Sequence, residues 1–426
     1  MKKLLLGIIL IVLMQLANAQ KTIIHCGQLI DVKTLQVQKE MSIIIVGNAI
    51  SEVQKGYVKA DASDKLIDLK SKTVMPGLMD MHVHVEEETS PTRYIDGFTK
   101  NKVDRAYGAI GLVEKDFMAG FTTLRDLGGS GVNIALRNAI NKGLVKGPRI
   151  YTAGKSLATT GGHADPTNNY REDLMGDPGP DEGVVNGVAD CAKAVRMRYK
   201  TGADLIKITA TGGVLSMAKD GSGAQFTEEE IRAIVSTAKD YGFKVAAHAH
   251  GAEGMKRAVL AGVNSIEHGT YMTDEIMELM KQHGTYLVPT IIAGKSSADS
   301  AKIPGYYPEV VRVKAAVVGT YIQATFAKAY KAGVKIAFGT DAGVYAHGKN
   351  WLEFVYMTEA GMPILECIQS ATVNAADLLG VSEILGSIEK GKYADIIAVD
   401  GDPTKDVQVM GKVSFVMKNG VVYKNL

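Results

Sequence analysis

The pattern of apolar and polar positions divides the chain into a long middle and two shorter ends. In the middle, short β-branched runs recur, most followed by loop residues and a helical stretch. The runs predicted as strands are Thr73–His84, Phe121–Asp126, Arg149–Gly154, Asp204–Ala210, Lys244–His250, Val263–His268, Thr285–Ile292 and Lys335–Asp341. Many are apolar on both faces, as in Leu205-Ile206 and Val245-Ala246-Ala247, which marks strands buried on both sides of a parallel sheet. The clearest helix follows Thr227. Thr227 and Glu230 have capping-box spacing, and Ile231, Ile234, Val235 and Ala238 give one apolar face. These units predict an α/β fold: a closed (β/α)8 TIM barrel over residues 76–384.

The ends alternate with period two and lack long helical patterns. Candidate strands are Thr22–Ile24, Met41–Val46 and Ala49–Val53, then Ile396–Val399 and Val413–Met417, with Asn419-Gly420 as a hairpin turn. Residues 20–75 and 385–426 are therefore expected to join as a small β-sandwich domain. Residues 1–19 read as a secretory signal peptide. Lys2 and Lys3 precede the apolar run Leu4–Leu16, and Ala17-Asn18-Ala19 has the small-x-small cleavage pattern. That run is too short to span a bilayer, and no other segment is long and apolar enough. The expectation is an exported protein, periplasmic or secreted, with no membrane partner after cleavage.

Charge adds an exclusion. The 48 Lys+Arg and 46 Asp+Glu give a net charge of +2, and both excess charges belong to Lys2 and Lys3. Nothing resembles the basic surface of a nucleic-acid binder, so no nucleic-acid partner is expected. With 46% hydrophobic and 22% charged residues, global disorder is excluded. The three cysteines (Cys26, Cys191 and Cys367) cannot build a disulfide framework and are read as buried thiols. Gly386–Lys392 matches G-x-x-x-x-G-K, but Tyr393 replaces the Ser or Thr that would hold magnesium, so it is read as a turn.

Candidate chemistry concentrates at strand ends, where barrel active sites lie. His82 and His84 stand at i and i+2 of the first strand and project to one side. His248, His268 and Asp341 each end an apolar strand before a Gly-containing loop. Imidazole and carboxylate are ligands that catalytic zinc accepts. Lys207 lies inside the apolar strand Asp204-Leu205-Ile206-Lys207-Ile208-Thr209, where a lone ammonium is costly. With a depressed pKa, its amine can react with CO2 to give a carbamate whose two oxygens bridge two metals.

Pro76-Gly77-Leu78-Met79-Asp80-Met81-His82-Val83-His84 resembles the first metal motif of the amidohydrolase superfamily, and Lys207, His248, His268 and Asp341 match its later stations in order. The segments around His248 and His268 resemble the imidazolonepropionase-like branch, and more closely its binuclear Xaa-Pro dipeptidase and carboxypeptidase members. The resemblance implies two divalent metal ions, zinc first. One is held by His82, His84 and Asp341 and the other by His248 and His268, with carboxylated Lys207 bridging. It implies hydrolysis of a C–N amide bond by a metal-bridging hydroxide, with Asp341 as catalytic proton shuttle. His163, His250 and Tyr271 are candidate substrate-binding residues. The expected partner is a dipeptide or other small molecule, such as an Xaa-Pro dipeptide or an N-acyl amino acid, and a homo-oligomer is possible. Two alternatives stand beside this reading: hydrolysis of a cyclic amide or lactone, and a non-catalytic zinc-binding protein. Glu86, Glu87 and Glu88 read as solvated loop, Arg125 as a structural ion pair with Asp126 or a nearby acid, and His347 as a loop-eight residue with lining the site as the lesser alternative.

Overall fold

The computed structural model describes residues 20–219 and 221–426; the expected signal segment lies outside the described residues. The ends of the chain build one sheet. Its strands are β1 (Lys21–Asp31), β2 (Gln36–Val46), β3 (Ala49–Lys55) and β4 (Lys65–Pro76), then β12 (Ile396–Val399), β13 (Val413–Lys418) and β14 (Val421–Asn425). Their order is β14-β13-β12-β4-β1-β2-β3. The expected sandwich is thus a single seven-stranded ladder. Alternation along β12 shows why its sequence is apolar throughout. Ile396 and Ala398 join the small core of the sheet, whereas Ile397 and Val399 join the large core beneath it. Asn419 (φ 50°) and Gly420 (φ 74°) turn β13 into β14, as their sequence signals.

Between the ends run β5 (Leu78–Val83), β6 (Phe121–Asp126), β7 (Arg149–Thr152), β8 (Ile206–Thr209), β9 (Val245–Ala249), β10 (Ser265–His268) and β11 (Tyr286–Val288). They pair in parallel and alternate with helices, but as two sheets, β5-β6-β7 and β11-β10-β9-β8. The predicted closed eight-stranded ladder is therefore interrupted. Between β7 and β8, a Leu157–Ile208 bridge spans the gap. On the other side, residues 335–341 form no strand. Pairing there is limited to isolated bridges, Leu287–Ile336 and Val83–Ala342, while Phe338 N–H donates to Ser370 O and Thr340 N–H to the Asp80 carboxylate. Contacts to both neighbours persist, through Leu287 N–H to Lys335 O (2.8 Å) and Met81 N–H to Phe338 O (2.9 Å).

The helix Glu228–Asp240 starts as its sequence predicts. Thr227 Oγ1 accepts from Glu230 N–H and the Glu230 carboxylate accepts from Thr227 N–H, while Ile231, Ile234 and Ala238 are buried. The terminal sheet is fastened to the parallel strands by Arg149, which donates to Asp395 (2.8 Å) and Asn419 (2.6 Å). Cys26, Cys191 and Cys367 are free and buried, and burial pushes each thiol up to about 12. The Gly386–Lys392 segment is a turn whose lysine is tied to Ser387 Oγ and Leu385 O.

Candidate metal centre

The ends of β5, β8, β9 and β10, with Asp341, surround one cavity that opens to solvent. His82, His84, Lys207, His248, His268 and Asp341 all line it, as do His163 and His250. Period-two alternation delivers His82 and His84 together, and their ring centroids lie 5.5 Å apart. Asp341 Oδ1 lies 3.3 Å from His84 Nε2 and 3.5 Å from His82 Nε2, and Lys207 Nζ lies 3.4 Å from His82 Nε2.

The outer hydrogen bonds of these rings fix what their inner nitrogens present. His82 Nδ1 meets Glu267 Oε2 (3.0 Å) and His84 Nδ1 meets Gly128 O (2.8 Å), so each Nδ1 must donate. Burial drives His82 well below its ordinary pKa and His84 down to about 4, so both rings are neutral. Each Nε2 then carries a lone pair. Two lone pairs converge on Asp341 Oδ1, a buried oxygen with no hydrogen-bond partner among the described residues. Acceptors that converge at these distances suit a shared cation, and the Lys207 amine already approaches one of them. His248 has the opposite tautomer: its Nε2 donates to Gly212 O (3.1 Å), leaving Nδ1 as the lone-pair nitrogen. One ligand atom each of His82, His268 and Asp341, and likewise of His248, His250 and His268, lie within 4.8 Å of one another. The donor set fits divalent metal ions.

Lys207 is buried, and that burial pulls its amine down to about 8. Burial pushes the Asp341 carboxyl up to about 7 against the opposing pull of Lys207. Backbone conformation also concentrates here. His268 (φ 72°), Thr290 (φ 51°) and Asp341 (φ 61°) are left-handed without being glycine, and Thr290 Oγ1 hydrogen-bonds His268 Nδ1 at 2.7 Å. His163 stacks on His248 with centroids 4.3 Å apart, and its Nδ1 is buried without a partner among the described residues. Gly213 permits that placement, because a Cβ there would fall 2.3 Å from the His163 ring.

Other sequence readings fare differently. Tyr271 is not among the residues lining the cavity; its ring meets Tyr321 at 5.5 Å. His347 does not line the cavity either: it bonds Asp116 (2.7 Å) and Glu87 O (3.1 Å). Glu86 is buried rather than solvated, and accepts from the backbone of Ser130 and Asn133. Arg125 is an ion-pair residue, as read, but its partner is Glu267 (2.8 Å), which in turn holds His82. Glu267 had a weaker sequence signal than Lys207, because only Ile266 is apolar in Ser265-Ile266-Glu267-His268, although the strand is wholly buried.

The sequence profile described as "Amidohydrolase family" matches residues 73–423. The chain belongs to the amidohydrolase family. As an amidohydrolase, it is a hydrolase acting on C–N bonds. The protein solved as a Xaa-Pro dipeptidase with methionine bound in its active site is 55% identical, with a TM-score of 0.93 over 95% of this chain and 100% of that one. A prolidase solved with N-methylphosphonate-L-proline is 31% identical, with a TM-score of 0.86 over 96% of this chain and 100% of that one. Ochratoxinase from Aspergillus niger is 31% identical over 433 aligned residues, 96% of this chain and 87% of that protein. These likenesses agree with the resemblance to the dipeptidase members and support metal-dependent amide hydrolysis.

Proposed function

We propose that this amidohydrolase holds two divalent metal ions, zinc first by donor chemistry, and cleaves an amide bond next to a free carboxylate, in Xaa-Pro dipeptides or N-acyl amino acids. The observation that carries the reading is the inward convergence of unprotonated imidazole nitrogens on the unpartnered Asp341 Oδ1. His82, His84 and Asp341 would hold one ion and His248 and His268 the other. Lys207 would join them as a carbamate, formed when its neutral amine adds to CO2 and loses a proton. Two of the similar structures were solved with methionine or N-methylphosphonate-L-proline bound, and both molecules carry an α-carboxylate.

Divalent ions in such a site supply Lewis acidity, which activates water and polarises the amide carbonyl. The remaining steps belong to the chain. The Asp341 carboxylate accepts the proton of the attacking water and returns it to the leaving amine. His163, held beside His248, offers a ring nitrogen to the substrate carbonyl, and His250 faces the same space. The apolar wall at Ala293, Val318 and Ile322 excludes water from the scissile bond. The proposal extends to export, since the expected signal segment would carry the working enzyme out of the cytoplasm.

Purified enzyme reconstituted with zinc is expected to bind about two ions per chain and to hydrolyse N-acyl-L-prolines and Xaa-Pro dipeptides in preference to cyclic amides and lactones. Turnover confined to ring substrates, or fewer than one bound ion, would overturn the reading. Tight metal binding without turnover across the library would instead establish a non-catalytic binder.

A further inference from the structure

Arg93 was not singled out by the sequence, yet it stands on the wall shared by the metal-centre cavity and a wider vestibule outside it. It opens the helix Arg93–Thr99, after the loop that leaves His84. Its side chain is one-quarter exposed (25%) and borders both spaces. Glu87 accepts from its Nη2 at 3.1 Å, its one hydrogen-bond partner among the described residues. Arg105 approaches the other oxygen of the same carboxylate at 3.7 Å. Two guanidinium groups thus share one carboxylate, and a unit of positive charge is left over in a confined space. Of the neighbouring cations, Lys100 pairs with Asp96 (2.8 Å) and Lys155 with Glu182, while Lys102 also lines the vestibule.

We propose that Arg93 is the specificity-determining residue that receives the substrate's free carboxylate. The inference rests on the substrate reading above and names the side chain behind it. A planar guanidinium with unused donors matches a carboxylate in two parallel hydrogen bonds, which an ammonium cannot reproduce. Of the three residues first expected near the substrate, Tyr271 is turned to Tyr321, while His163 and His250 line the cavity beside the metal centre. Recognition from the vestibule side leaves the acyl group pointing to His163 and Asp341, which line the same cavity. A substrate whose carboxylate is capped as the carboxamide leaves this surplus charge uncompensated and is rejected.

The test compares an N-acyl-L-amino acid with its carboxamide in the zinc-loaded full chain. Wild type is expected to prefer the acid. Arg93→Gln should raise KM for the acid by roughly 10- to 100-fold, leave kcat within a few-fold and leave the carboxamide unchanged. Arg93→Lys should recover part of the loss, and Glu87→Gln, which keeps Arg93 in place, should preserve the preference. If Arg93 only tethers the loop through Glu87, Arg93→Gln and Glu87→Gln will impair acid and carboxamide alike, and the proposal is overturned. An acid preference untouched by Arg93→Gln overturns it as well, while the substrate reading survives. A wild type that hydrolyses neither compound ends both.

Discussion

Asp341→Asn is expected to lower kcat by about 10²- to 10⁴-fold, the range seen when a positioned proton-transfer group is removed. Asparagine keeps the shape of the side chain and an oxygen for the His82 and His84 face, but it cannot take up the proton of the attacking water. Backbone placement should survive, because Asp341 N–H donates to His82 O and that bond is independent of the side chain. Lys207→Ala is the matching control. There metal content and activity should fall together, since the substitution removes the proposed bridge and leaves no stranded charge. Elemental analysis, together with native mass spectrometry for one added CO2, separates the two variants. Full activity in Asp341→Asn would reject the proton shuttle, and full activity in Lys207→Ala would reject the carbamate.

The largest expected loss of stability lies one layer below. Arg125 and Glu267 are both buried, their side chains only 2% and 0% exposed. Arg125 also donates to Met81 O and Ser265 Oγ, so it ties β6 to β5 and β10. Arg125→Met should cost about 3–5 kcal/mol, because it leaves Glu267 as a buried charge without its partner. Metal affinity should fall too, as Glu267 orients His82 from behind. Adding Glu267→Gln should return part of the stability, since the orphaned charge is then gone, while His82 keeps an acceptor. Denaturant unfolding of the single and double variants checks this; additive losses would contradict the pairing.

The ligand set was legible because each member is a local anomaly. His82 and His84 share one strand face, Lys207 interrupts an apolar strand, and His248, His268 and Asp341 end apolar runs. What surrounds them was less so. Arg93 and Glu87 are unremarkable in a polar loop, and only the fold brings them to the cavity wall. Glu86 looked like part of a solvated acidic run, but the amides around Ser130 and Asn133 offer it enough donors to be buried. The eighth strand failed for a related reason. The run from Lys335 has strand-like side chains and touches both neighbours through single bridges, but the N–H groups of Phe338 and Thr340 go to Ser370 O and the Asp80 carboxylate instead of extending the ladder. Side-chain pattern reports burial well and reports the choice of backbone partner poorly.

The position of β4 in the terminal sheet sets an order of events during synthesis. Along Thr73–Pro76 it pairs with β12, with Thr73 opposite Val399 and Pro76 opposite Ile396. That partner leaves the ribosome after the whole parallel-stranded region, roughly 16–64 s later at ordinary elongation rates. Throughout that interval the rim of β4 is a bare edge, open to strand pairing with another nascent chain. Lys70 and Lys72 stand just before it, and charged side chains of this kind discourage such encounters. A chain cut short before β12 would therefore do more than lose its last strands. It would keep a sticky edge permanently uncovered, and its expected fate is aggregation rather than a smaller working enzyme.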